Sequence, residues 1–108
     1  MQNLSSTFAA LGDSTRFAIV EKLLSEGELS AGMLQEDIAL TPPAVSRHLK
    51  VLRNAGVIQQ RIDKQRRMYS VRPEAVKSIS AWTMSHKDFW ENSLDRLELA
   101  LAEEDRGK

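Results

Sequence analysis

Apolar residues recur along this chain at spacings of three and four, change once to near-alternation, and then return to three and four. That succession of periods predicts helices, then a pair of strands, then a closing helix. The first helix is expected from Ser5 or Ser6 to Leu11, with Phe8 and Leu11 on one face and Gly12 as its stop. Asp13 or Ser14 can cap a second helix whose apolar stripe is Phe17, Val20, Leu23 and Leu24, ending near Glu26 and Gly27. Ser30 offers a cap for a brief third helix with Met33, Leu34 and Ile38 as its buried positions, after which Ala39 and Leu40 turn the chain into Thr41.

Thr41-Pro42-Pro43 is the clearest helix start. The threonine hydroxyl can accept from an orphan amide, and proline at the first helical position forfeits no hydrogen bond. Val45, Leu49 and Leu52 give this helix, about residues 41–55, a narrow apolar stripe, and Gly56 supplies a left-handed residue to end it. Val57–Ile62 and Arg67–Val71 then read as two strands, with Ile58, Ile62, Met68 and Val71 as the apolar positions and Asp63 to Arg66 as the turn, a hairpin over about 57–72. Ile79, Trp82, His86, Phe89 or Trp90, Leu94, Leu97 and Leu101 mark a long closing helix over about 74–104, uninterrupted by Gly or Pro until Gly107. Residues 105–108 are expected to fray. A helix this long cannot bury its whole stripe against so small a domain, so its apolar face asks for a second subunit.

With 108 residues, the chain has room for one domain of ordinary size, over residues 1–104, and 42% hydrophobic with 28% charged residues predict a folded chain. The absence of cysteine excludes disulfides, thiolate metal sites and iron–sulfur clusters. MQNLSSTFAA has neither a basic leader nor a long apolar run, and no stretch approaches the roughly 18 apolar residues of a membrane span. The expectation is a soluble, cytoplasmic protein that does not engage a membrane.

Fifteen basic and fifteen acidic residues cancel, which as a total argues against a nucleic-acid partner. By segment the picture changes. Residues 1–40 set Arg16 and Lys22 against Asp13, Glu21, Glu26, Glu28, Glu36 and Asp37, a net of −4. Residues 41–72 set Arg47, Lys50, Arg53, Arg61, Lys64, Arg66, Arg67 and Arg72 against Asp63 alone, a net of +7, and residues 73–108 return to −3. A basic block can be no more than a solvated face. Here it coincides with the capped helix and the hairpin.

Helices, a capped helix, a hairpin and a long last helix describe a mainly α fold with a small β-hairpin, the winged helix-turn-helix. In that architecture the capped helix enters the major groove and the wing lies along the backbone or minor groove. Val45, Leu49 and Leu52 turn inward, so the DNA-binding candidates on the helix are Thr41, Pro42, Pro43, Ala44, Ser46, Arg47, Lys50 and Arg53, with Asn54 also outward. Small side chains at Ala44 and Ser46 permit close approach to bases; Arg47 offers a bidentate fork to guanine or a phosphate contact, and Lys50 and Arg53 suit phosphate. In the wing, Lys64, Gln65, Arg66 and Arg67 reach flanking phosphates or a narrow minor groove. The dimer-interface candidates are Phe8, Leu11, Ile79, Trp82, His86, Phe89, Trp90, Leu94, Leu97 and Leu101.

Two other classes compete with a DNA-binding regulator. The aromatic face of the last helix could hold another protein, making the chain an interaction module. An enzyme finds less support, because no Ser-His-Asp, paired-carboxylate or phosphate-loop arrangement occurs and the two histidines lie on separate elements. His48 is expected to pack or hydrogen-bond under the wing, and His86 to be an interface residue. The residues call for no cofactor and identify no effector.

Three strings carry a resemblance: FAALGDSTRFAIVEKLLSEGELS at the start, TPPAVSRHLKVLRNAGVI over the capped helix, and RIDKQRRMYSV over the wing. The second, with SRHLKVLRNAG behind Thr-Pro-Pro, is the specific one. They are similar to the ArsR-type winged-helix repressors of bacteria over nearly the whole chain. The resemblance implies a homodimer paired mainly through its first and last helices, binding a short imperfect palindrome in double-stranded DNA at a promoter, often its own, with repression released by a signal. Metal-sensing members carry a cysteine pair before the recognition helix; the matching positions here are Ser30 and Gly32, which cannot coordinate a soft metal. Others build a zinc site on the last helix, and here His86 and Asp88 have no second histidine at ligand spacing. The chain looks more like members without metal sites, whose last helix carries a pattern such as FWENSLDRLELAL.

Overall fold

The computed structural model describes residues 3–106. Within them the order is α1 (Leu4–Leu11), α2 (Ser14–Glu26), β1 (Leu29–Ser30), α3 (Ala31–Glu36), α4 (Pro42–Asn54), β2 (Ile58–Asp63), β3 (Arg66–Val71), α5 (Pro73–Ser85) and α6 (Lys87–Arg106). Short polar side chains start the first four helices. Asn3, Asp13, Ser30 and Thr41 accept from the amides of Ser6, Arg16, Met33 and Ala44 at 3.3, 3.0, 3.3 and 3.4 Å, satisfying one orphan donor each. Gly56, with φ of 75°, adopts the left-handed conformation expected at the end of α4.

The core joins α2, α3, α4 and the sheet through Ile19, Leu34, Val45, Leu49, Leu52, Val57 and Ile58, all essentially fully buried. The stripe anticipated on α4 is its buried face. On α2 the face differs. Ile19, Val20 and Leu23 are buried, whereas Phe17 and Leu24 stay exposed. Apolar residues surround this helix, so three-and-four spacing fits two overlapping faces, and packing against α1, α4 and β3 selects one of them. Met33 and Ile62 are likewise exposed rather than core.

The sheet has three antiparallel strands in the order β1-β3-β2. The hairpin closes through the two residues Lys64 and Gln65, with Asp63 opposite Arg66. Lys64 has φ of 59°, because both tight hairpin turns need a positive φ at their first central position. β1 adds a third strand to the two read from sequence: Leu29 pairs with Tyr69 and Ser30 with Met68.

The chain divides after Ser78 into two compact units, where the sequence pattern suggested one domain over residues 1–104. In the second unit no residue from Ile79 to Arg106 is buried. The closing helix expected over about 74–104 is two helices, α5 and α6, separated at His86. Neither Gly nor Pro causes the break. Thr83 Oγ1 donates to the Ile79 carbonyl at 3.0 Å and Ser85 Oγ to the Trp82 carbonyl at 2.7 Å, so two α5 carbonyls three residues apart are engaged by side chains, a known source of helix bending. Of residues 105–108, Asp105 and Arg106 belong to α6, and Arg106 stands in its last turn, where a cation favours the helix dipole. The rest of that segment, 107–108, lies outside the described residues.

Candidate nucleic-acid interface

Thr41 caps α4 and sets Pro42 and Pro43 in its first turn, so that Ser46, Arg47 and Lys50 are exposed behind them and Ala44 is half-buried. Three buried leucine and valine side chains fix the inward face. One edge of the helix is held by polar contacts with the corner between α1 and α2. Arg16 Nη1 lies 3.4 Å from His48 Nδ1, and its Nε donates to the Ala10 carbonyl at 2.7 Å. Asp13 Oδ2 lies 3.9 Å from the same ring nitrogen, and the Arg16 backbone amide and then its guanidinium hold the Asp13 carboxyl below the ordinary aspartate range. His48 therefore bonds to the start of α2. Sequence reasoning missed the pairing with Arg16, which lies 32 residues away.

In the wing, Lys64, Gln65, Arg66 and Arg67 are exposed at the tip. One wing cation is committed to the protein. Arg61 lies opposite Met68, Met68 opposite Ser30, and Glu28 stands two residues before Ser30, so period-two alternation puts Glu28 and Arg61 on one face of the sheet. There Arg61 Nε and Nη2 grip the two Glu28 oxygens at 2.8 and 2.5 Å, a bidentate pair that draws the Glu28 carboxyl below its ordinary range. Arg72 stands 3.6 Å from Glu74. Among the described residues the other six cations of the basic segment, Arg47, Lys50, Arg53, Lys64, Arg66 and Arg67, form no ion pair within the chain. Five of these lie on the exposed face of α4 or at the wing tip. Arg53 differs: it lines a cavity with Arg72, Asn3 and Glu74.

A model described as the bacterial regulatory protein arsR family matches residues 13–60, which run from the α2 cap through α4 into the wing. The arsenic resistance transcriptional regulator ArsR1 of Pseudomonas putida is 33% identical over 96 residues, 89% of this chain and 75% of that one. The chain belongs to the ArsR family. This ArsR-family chain is a DNA-binding transcriptional regulator. The HTH-type transcriptional regulator Rv2034 of Mycobacterium tuberculosis is 43% identical over 70 residues, 65% of this chain and 64% of that relative's length. The crystal structure of the ArsR family transcriptional regulator RHA00566 superposes with a TM-score of 0.74 at 26% identity, covering 82% of this chain and 96% of that one.

Ser30, at one of the positions where metal-sensing members carry cysteine, is buried as the cap of α3 and pairs with Met68, so it serves the fold. Among the described residues no three His, Asp or Glu side chains converge as metal ligands. The candidate dimer residues fall in both units. Phe8 is exposed on α1, while Leu11 packs on the core. Ile79 is half-buried on α5. Trp82 and His86 lie 5.6 Å apart, Trp82 and Trp90 6.4 Å, and Phe89 and Trp90 4.9 Å, all edge to face, and Leu94, Leu97 and Leu101 continue the exposed apolar row along α6. No helix among the described residues is long and apolar enough to cross a membrane.

Proposed function

We propose that the protein acts as a homodimeric repressor that binds an imperfect palindrome through the N-terminal half of α4 in the major groove and the wing tip on flanking backbone. It works by binding, without a catalytic step. The observation that carries this reading is α6: twenty residues of helix with none buried, yet with Phe89, Trp90, Leu94, Leu97 and Leu101 exposed. In proteins most of the stability of an amphipathic helix comes from burying its apolar face. A second copy of the same helix is the symmetric way to do so. Two-fold symmetry then requires half-sites one helical turn apart or a multiple, roughly 34 Å per turn.

Light scattering of the wild type and of Leu94→Asp, followed by gel-shift titration with the DNA upstream of the gene, tests this. The wild type is expected as a dimer that prefers that DNA to random duplex. Leu94→Asp is expected as a folded monomer with binding reduced at least a hundredfold. A monomeric wild type that binds another protein through α6 would instead favour the interaction module.

A further inference from the structure

A cavity of about 650 Å³ opens in the first unit where the end of α4, the start of α1 and the start of α5 come together. Its volume falls in the range of small-molecule sites. Two arginines, Arg53 and Arg72, line it. Among the described residues Arg53 pairs with no carboxylate, and Arg72, placed by its backbone amide on the Val57 carbonyl at 2.9 Å, has only the long 3.6 Å contact with Glu74. Such a half-exposed contact is worth little, so Arg72 can turn to a ligand without a large penalty. Asn3, Ser6 and Asn54 add hydrogen-bonding groups to the wall, and Glu74 can accept from a hydroxyl or amine.

We propose that this cavity binds a small organic anion with at least two carboxylate or phosphate groups and a hydroxyl, one acidic group on each of Arg53 and Arg72. Paired guanidinium forks match two planar or tetrahedral anions better than single ions such as chloride. Because Arg53 and Asn54 end the recognition helix, occupancy alters DNA affinity, a consequence that rests on the DNA-binding function above.

Citrate is the probe, added to the full chain at constant ionic strength, with amide proton–nitrogen NMR spectra as readout. Saturable shifts confined to residues 53–56 and 72–78 are expected, with affinity at least tenfold weaker in Arg72→Gln. A parallel titration of Lys64→Gln is expected to match the wild type. Shifts spread equally over Arg47, Lys50 and the wing tip, or an unchanged affinity in Arg72→Gln, would overturn the site. In a second arm citrate is expected to change operator affinity at least threefold in the wild type and not in Arg72→Gln; equal changes in both would overturn the coupling. Failure of the DNA reading is separable, since it would show as no operator binding without citrate while the NMR response persisted.

Discussion

The division of the basic segment into paired and unpaired cations can be measured through salt. Five unpaired cations per protomer, Arg47, Lys50, Lys64, Arg66 and Arg67, stand on the exposed face of α4 or at the wing tip, while Arg61 is held by Glu28. The proposed dimer would thus bring about ten charges to the phosphates, and with a slope near −0.9 per contact the logarithm of its affinity should fall with the logarithm of salt at about −9, roughly five decades between 50 and 200 mM. Arg67→Gln removes two of those contacts per dimer and should bring the slope to about −7. Arg61→Gln removes the same formal charge from the same hairpin and should leave the slope unchanged, because that guanidinium is engaged with a carboxylate. Fluorescence anisotropy with a labelled operator at five salt concentrations measures all three, with circular dichroism confirming that each variant is folded. If Arg61→Gln flattened the slope as much as Arg67→Gln, net segment charge, and not pairing, would set the interaction, and the division of the cations drawn from the structure would be wrong.

Three further outcomes concern stability. Asp13 and Glu28 have lowered carboxyl pKa values, the first mainly through the Arg16 amide and the second mainly through the Arg61 side chain, so their contribution is fully present above the unfolded carboxylate range and is lost as pH falls through the lowered folded values. Urea midpoints should therefore drop on acidification below about pH 4, and less so in Glu28→Gln. Thr41→Ala removes the side-chain acceptor for the Ala44 amide and should cost about 1 kcal/mol in urea unfolding. Lys64→Gly should raise stability by roughly 0.5–1 kcal/mol by relieving a positive φ, while lowering operator affinity through the lost charge. A variant that bound more weakly only because it was less stable would contradict this last expectation.

What could be read from the sequence followed the range of the interactions. Thr41-Pro42-Pro43, the stripe through Leu49 and the left-handed Gly56 are local, and the recognition helix lies where they indicate. β1 was illegible because two residues cannot display alternation, and its pairing with Tyr69 and Met68 is set some 40 residues further on. The exposed Phe17 and buried Ile19 reflect a helix whose composition admits two faces. The break at His86 lacks the usual punctuating residues, since hydroxyl groups bonded back to the helix carbonyls do not stand out in a polar pattern. At the candidate site the residue types were readable, but not their partners. Glu28 with Arg61 and Arg16 with His48 join positions 33 and 32 residues apart, and nothing in the local sequence sets Arg53 apart from a phosphate-contacting arginine, because the cavity beside it is built from three separate helices.

The wing's strand order has a consequence for colloidal behaviour. β2 forms one border of the sheet along its whole length, and β1 is too short to cover β3 beyond Met68, so backbone hydrogen-bonding groups are left open on both sides of the tip, with the apolar Ile62 exposed between them. Such borders invite strand-to-strand association between molecules, and lysine or arginine along them is the usual deterrent. Lys64, Arg66 and Arg67 are placed to act as that deterrent between the wings of separate molecules when no DNA is bound. Removing positive charge here would therefore change two properties at once, the contact with DNA and the tendency of free wings to associate.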